Sequence, residues 1–320
     1  MDITIKESIA SFLFHCRAKN LDPKSIKFYR IHLNNFMEFL EIEKKNISIS
    51  EITPFLLRNF ILYLQNEKQQ RYCKKKGVSP SGVNRHIKVL KIFFKFLLRE
   101  GIIKKNPTKN ISMIRVENKK LETFTHSQIL KLFDVARKNR SFTGLRNYLI
   151  IYILFDTGLR ISELLNLKIQ DIDFNNRIFR VIGKGKKERL VPFGKTSCEI
   201  LKKYLEIKKK IFGESEYIFL TRNGNRLSRR QASKNIERIG KKAGIKGIRI
   251  SPHTFRHTFA KNYLLNGGDV FTLKEILGHS NLETVQIYVN MNERELINQY
   301  NKYNPGDRIL ISEIFGGEWN

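Results

Sequence analysis

The sequence is short of cysteine, of acidic residues and of long apolar runs, and each shortage removes a class of protein. Its three cysteines, Cys16, Cys73 and Cys198, are odd in number, far apart and without a CxxC pair. They make neither a disulfide framework nor a cysteine metal site, which favours a reducing compartment. The longest apolar run, Tyr148 to Phe155, is too short to cross a bilayer. The N-terminal MDITIKESIASF lacks the basic-then-apolar order of a signal peptide. A soluble, cytoplasmic protein without a membrane segment is expected. No internal repeat or low-complexity tract is apparent.

The acid deficit is the strongest compositional signal. Sixty Lys+Arg stand against 30 Asp+Glu, giving a net charge of +30 and a pI of about 10.1. Residues 1–120 hold 25 basic and 10 acidic side chains and the remainder 35 and 20, so each part carries the same excess. Charge spread over both parts, rather than held in a tail, suggests two surfaces facing one polyanion such as nucleic acid. A lysine-rich solvated surface produces such an excess too. The hydrophobic share of 41% with 28% charged residues belongs to a globular chain, and 320 residues suffice for one large domain or two ordinary ones.

Helical spacing organises the first part. Ile5, Ile9, Phe12, Leu13 and Cys16 share one face. Asp22-Pro23 and Thr53-Pro54 each read as a capping residue followed by proline at the first helical position. A fourth helix from Ser79 to about Arg99 has the apolar stripe Val83, Ile87, Leu90, Phe94 and Leu97, with Asn84, Lys88, Lys91 and Lys95 beside it. Arg85 joins Lys88, Lys91 and Lys95 as candidate phosphate contacts on this basic edge, which is equally what a solvated bundle face presents. A four-helix bundle over 1–110 and a linker over 111–122 follow, since Pro107 breaks helix and KNISMIRVENKK holds neither period.

The second part, 123–300, restarts with the capping box Thr125-His-Ser-Gln128. An apolar helix over 144–157 ends at Gly158. The segments around Ile169, Ile172 and Phe174, then IFRVIG, then ERLVPF alternate as a small three-stranded antiparallel sheet. Helices are expected at 195–211 and 228–242, and over 252–300 with breaks at Gly267-Gly268 and Gly278. The fold class is mainly α: a helical bundle plus a mixed, mostly helical domain with a small sheet. Residues 301–320 form a tail with an apolar run, Ile309 to Ile314, suited equally to a neighbouring protomer and to its own domain.

Several residues can carry chemistry. His253 and Arg256, three apart at a helix start after Ser251-Pro252, share one face. Arg256 can meet a phosphate with two parallel hydrogen bonds, and the unpaired amides of a helix start favour an anion there. Alone, the pair reads as a cap and a surface cation. His253 and His257 with His279 suggest a metal site, but Thr254 stands where an HExxH hydrolase needs its glutamate, so no metal is expected. Arg160 follows a helix-ending glycine, with Glu163 placed to orient it; as an exposed pair the two are worth little. Lys184 sits between two glycines at a hairpin turn. Gly183-Lys184 is no nucleotide-cradling loop, since no glycine stands five before it and no Ser or Thr follows. Tyr288 lies on a short helix after Asn281, where packing is the commoner role. Arg229, Arg230 and Lys234 on the 228–242 helix are candidate DNA contacts.

Taken in order, TGLRISELLNL, VIGKGKKERLVPFG, SPHTFRHTFA and LGHSNLETVQIYVN make the chain resemble the tyrosine recombinase (phage integrase) family, closest to two-domain Xer-like and transposon-encoded integrases. The resemblance covers nearly the whole chain, with the bundle looking like the family's core-binding domain, and no member of the family's catalytic set is substituted. It implies that Arg160 and Arg256 hold a scissile phosphate, His253 and His279 support it, Lys184 is the general acid and Tyr288 the nucleophile. It also implies a bacterial, nucleoid-associated enzyme without cofactor that acts as a tetramer on double-stranded DNA, with an accessory DNA-bending or directionality protein as a further partner. Integration or excision of a mobile element is the expected setting, with Xer-like dimer resolution as the alternative. A non-catalytic DNA-binding protein explains the charge and the two domains but not the six catalytic-type residues.

Overall fold

The computed structural model describes residues 3–43, 48–68, 76–116, 121–183 and 187–278. The chain divides into two compact units, Met1–Lys119 and Lys120–Asn320. Eleven α-helices and one small sheet are present among the described residues.

The first unit is built from α1 (Ile5–Ala18), α2 (Pro23–Ile42), α3 (Pro54–Asn66) and α4 (Pro80–Arg99). Each of the last three opens on a side chain that caps a free amide, from Asp22, Thr53 and Ser79, with proline next, where its missing N–H costs nothing. Thr4 and Glu7 form a reciprocal capping box for α1. The apolar stripes meet in a core containing Leu33, Phe36, Phe60, Leu64, Phe93, Phe94 and Leu97, all fully buried. Its rings pack edge-on or tilted, with Phe36 and Phe60 centroids 5.1 Å apart.

Part of the segment assigned to the linker belongs to this unit instead. Ile111 is buried in the bundle core and Ile114 packs against it. The Asn84 amide donates to the Ile114 carbonyl and accepts from the Ile114 N–H, both at 2.8 Å. Asn84, grouped with the basic edge by its spacing, therefore clamps the outgoing chain. Periodicity missed this because an irregular segment can be anchored by two isoleucines and one amide without repeating anything.

The second unit centres on α6 (Phe142–Thr157), whose Leu149, Ile150, Ile151, Ile153 and Leu154 are all buried. From Tyr148 to Phe155 it is apolar on every side, because other helices cover it. Around it lie α5 (His126–Arg137), α8 (Lys195–Phe212), α9 (Arg229–Lys242) and α10 (Pro252–Leu265). Gly158 ends α6 in the left-handed region at φ 63°, and a Cβ there would stand 2.4 Å from the Phe259 ring. The tight stop sends the chain directly into the one-turn α7 (Ile161–Leu164), with Arg160 as its N-cap. The sheet has the order β1 (Ile172–Asp173), β2 (Ile178–Ile182), β3 (Glu188–Pro192), antiparallel throughout. Its first strand is shorter than the sequence suggests, because Ile169–Asp171 turns as 3-10 helix. Phe179, Val181 and Val191 face the core. Last among the described residues comes α11 (Val270–Leu277), closed by Gly278 at φ 63°.

Candidate active site

The site grows from the two glycine-terminated helices. At the first, the N-cap and third residue of α7 form an ion pair: Glu163 Oε2 accepts from the Arg160 N–H at 2.9 Å, and Oε1 accepts from Arg160 Nη1 at 2.8 Å. The carboxylate is 6% exposed and the guanidinium 34%, so this is no surface pair. The acid lies beneath, and the arginine is the more exposed partner.

A second arginine approaches the same acid. Arg189 of β3 donates from Nη2 to Oε2 at 2.8 Å and from Nη1 to Oε1 at 3.1 Å. Burial raises the Glu163 pKa, but the hydrogen bonds and charge of Arg189, with those of Arg160, outweigh it and hold the carboxyl below its usual range. The sequence reading missed Arg189. Its signal is the strand period, which puts Arg189 on the inward face with Val191 and Phe193.

Arg256 enters from the first turn of α10, whose start is set by the Ser251 cap and Pro252. Only 4% exposed, it donates from Nη1 to the Gly158 carbonyl at 2.8 Å and from Nη2 to the Leu277 carbonyl at 2.7 Å. Arg160 reaches the same Leu277 oxygen at 3.4 Å and the Gly278 oxygen at 3.5 Å, and Arg189 Nε donates to the Ile276 oxygen at 2.8 Å. Three guanidiniums thus converge on the last carbonyls of α11, where the helix dipole is negative. The two arginines picked from sequence share an acceptor although 96 residues apart, and the contacts of Arg160 to these carbonyls are the long ones, so it is the least committed to the end of α11.

His253 stands exposed on the same turn of α10 as Arg256. Partial burial and then the charges of Arg229, Arg256, Arg249 and Arg160 lower its pKa, so the ring is neutral near pH 7 and can donate one N–H. His257 is pushed down to about 4 by burial and by His253 and Arg256. Lys184, His279 and Tyr288 lie outside the described residues, as does the tail 301–320. Gly183 is the last described residue before Lys184, and Gly278 the last before His279.

Of the remaining candidates, Arg229, Arg230 and Lys234 are exposed on α9, whose opposite face buries Ala232, Ile236 and Ile239. Lys234 lines a hollow of about 730 Å³ together with Arg222, Arg226 and Arg238, and no acid lines it. The last three were not picked from sequence, though TRNGNRL is a basic turn. On α4, Arg85, Lys88 and Lys95 are exposed and Lys91 is half-buried, and among the described residues none of the four forms an ion pair. The site's chemistry is that of an anion receptor: fixed guanidiniums, a buried carboxylate that aims one of them, and a neutral imidazole.

The chain is similar to known proteins over both of its units. The family model described as "Phage integrase family" matches residues 122–295, and "Phage integrase SAM-like domain" matches residues 9–114. Tyrosine recombinase XerC of Thermodesulfovibrio yellowstonii is 34% identical over 93% of this chain and 96% of its own length. Among solved structures, XerH site-specific recombinase bound to a palindromic difH substrate is 25% identical with a TM-score of 0.72, over 90% of this chain and 82% of that one. The Tn1549 transposon integrase in complex with circular intermediate DNA has a TM-score of 0.73 over 93% of this chain and 99% of that one, and at 22% identity it speaks for the fold alone.

Proposed function

We infer the function from one premise: the chain belongs to the phage integrase family of tyrosine recombinases. It is a tyrosine-type site-specific recombinase, an enzyme that breaks and rejoins DNA strands. The observation that carries the residue-level reading is the convergence of Arg160 and Arg256 on the end of α11, with Glu163 buried behind Arg160.

In this reading Arg160 and Arg256 take the non-bridging oxygens of the scissile phosphodiester, where negative charge gathers in the transition state. His253 and His279 add N–H donors. The Tyr288 phenol, whose ordinary pKa is about 10, loses its proton as its oxygen attacks phosphorus. The bond to the 5′-oxygen breaks, and Lys184 delivers a proton to that oxygen. A phosphodiester to tyrosine replaces the one broken, so attack by another strand's 5′-hydroxyl can reverse the step with no external energy source. Exchange needs two DNA sites, hence a tetramer on DNA, with 301–320 as the candidate contact between protomers. The bundle 1–110 and the catalytic unit 123–300 grip the duplex through Arg85, Lys88, Lys91, Lys95, Arg229, Arg230 and Lys234, and an accessory DNA-bending or directionality protein completes the assembly. No described helix is long and apolar enough to cross a membrane, in keeping with an enzyme that works on nucleoid DNA in the cytoplasm.

The test is covalent capture on a nicked suicide substrate. The native chain should accumulate a protein–DNA adduct, and Tyr288→Phe should form none while binding DNA with near-native affinity. Adducts that persist in Tyr288→Phe would remove that residue as the nucleophile. Two settings suit the same chemistry. Integration or excision of a mobile element draws on the fold shared with the transposon integrase, and Xer-like dimer resolution is favoured by the 34% identity to a XerC. Recombination of the DNA flanking the gene, set against a dimer-resolution site, separates them.

A further inference from the structure

We propose that Arg189 is a positioning residue for strand cleavage: it shares the charge of Glu163 and fastens the end of α11, so that the charge of Arg160 is not fully offset and its guanidinium stays aimed at the phosphate. The inference rests on the reading of Arg160 as a phosphate ligand.

Three observations support it. Each Glu163 oxygen is divided between the two arginines: Oε1 accepts from Arg160 Nη1 at 2.8 Å and Arg189 Nη1 at 3.1 Å, and Oε2 from the Arg160 N–H at 2.9 Å and Arg189 Nη2 at 2.8 Å. One carboxylate between two guanidiniums leaves the group positive. The burial is unequal, since the side chain of Arg189 is 11% exposed and that of Arg160 34%. Arg189 is therefore the inner counter-ion and Arg160 the outward one. Finally, Arg189 Nε donates to the Ile276 carbonyl at 2.8 Å, and its Cδ, Nε and Cζ lie 3.0 Å from where a Cβ on Gly278 would stand. That close approach seats Gly278 on the arginine itself.

Nε, Nη1 and Nη2 of Arg189 all have protein acceptors, so the side chain is committed to the protein and acts through its neighbours. Without it, the buried Glu163 would have Arg160 as its sole strong partner. A one-to-one pair neutralises the cation that the phosphate needs and draws it inward. Lysine at this position would keep the charge but lose the fork that spans both carboxylate oxygens and the Ile276 carbonyl.

The experiment uses the full chain and two nicked suicide substrates. One has an ordinary scissile phosphate, and the other a methylphosphonate, in which a methyl group replaces a non-bridging oxygen and removes the charge that Arg160 would meet. On the ordinary substrate Arg189→Gln should slow adduct formation about 100-fold, the scale of a misplaced reacting group. On the methylphosphonate the same substitution should slow it less than about fivefold, because little remains for Arg160 to grip. Arg189→Lys should show the same inequality, weaker, and carries the test if Arg189→Gln loses its cooperative melt. Equal slowing on the two substrates, the signature of a merely structural role, overturns the proposal. Arg160→Ala on the same pair guards the premise. If it slows both equally, the assignment of Arg160 itself fails; if only Arg160→Ala discriminates, Arg189 alone is misread.

Discussion

The two units bury polar side chains in opposite ways. In the bundle, His86 is 6% exposed, with Nδ1 donating to the Gly82 carbonyl at 3.1 Å and Nε2 meeting the Asn35 amide nitrogen at 3.0 Å. Its ring lies 4.4 Å from that of His32. Burial pushes its pKa down to about 4, so it gives up its proton and packs as a neutral group. Arg189 and Arg256 cannot do that, since a guanidinium keeps its charge in proteins. The second unit instead surrounds them with acceptors: the Gly158, Ile276 and Leu277 carbonyls and the Glu163 carboxylate. A buried histidine suits a structural interior, whereas the two buried arginines sit beside Arg160, which at 34% exposure is the outermost cation of the cluster.

Substitutions in the two clusters should therefore separate catalysis from stability. The largest effect belongs to Arg256→Ala, which should lower the rate of adduct formation on a suicide substrate by about 10²- to 10³-fold, as removal of a transition-state donor does. His86→Gln should leave that rate unchanged once the protein is folded. An adduct rate that falls with His86→Gln would break the comparison.

Acid comes next. The folded His86 pKa lies below the 6.5 of the free side chain, so below that value the unfolded chain takes up protons first. Its stability contribution is whole above 6.5 and is lost as pH falls from there toward 4. Urea titrations should find a loss on the order of 2 kcal/mol for the bundle between about pH 7 and pH 5, and His86→Gln should flatten it. His257 obeys the same sign in the second unit. Glu163, with its pKa lowered, holds its contribution above 4.5 and loses it only at lower pH, so the charged cluster should outlast the histidines on acidification.

The smallest effect is at the surface. Lys88→Ala and Lys95→Ala should each reduce the salt dependence of DNA binding by about 0.9 in logarithmic slope for a lost phosphate contact. Melting should shift by less than about 0.5 kcal/mol of stability, as usual for exposed positions.

Much of this fold is legible without coordinates because its signals are local. Asp22-Pro23, Thr53-Pro54 and Ser79 mark helix starts within a turn of themselves, and Gly158 and Gly278 mark stops the same way. Arg160, His253 and Arg256 stand out because each sits beside such a signal. Arg189 stands in a strand, where its inward direction can be counted but its purpose cannot. Its partners Glu163 and Ile276 are 26 and 87 residues away. The outgoing segment 111–114 escaped for a related reason, since Ile111 and Ile114 acquire meaning only against a core assembled from four helices.

By itself, then, the sequence determined the helices, the small sheet, the basic excess and the kind of chemistry to expect, through periodicity, capping and ordered motifs that act over a few residues. The tertiary structure alone decided that one buried carboxylate serves two arginines and that three guanidiniums meet at the end of one helix. The physical reason is range. A cap or an apolar stripe is satisfied by its neighbours in the chain, but a buried charge takes whatever acceptor the packing brings within about 3 Å, and no local pattern records which one that will be.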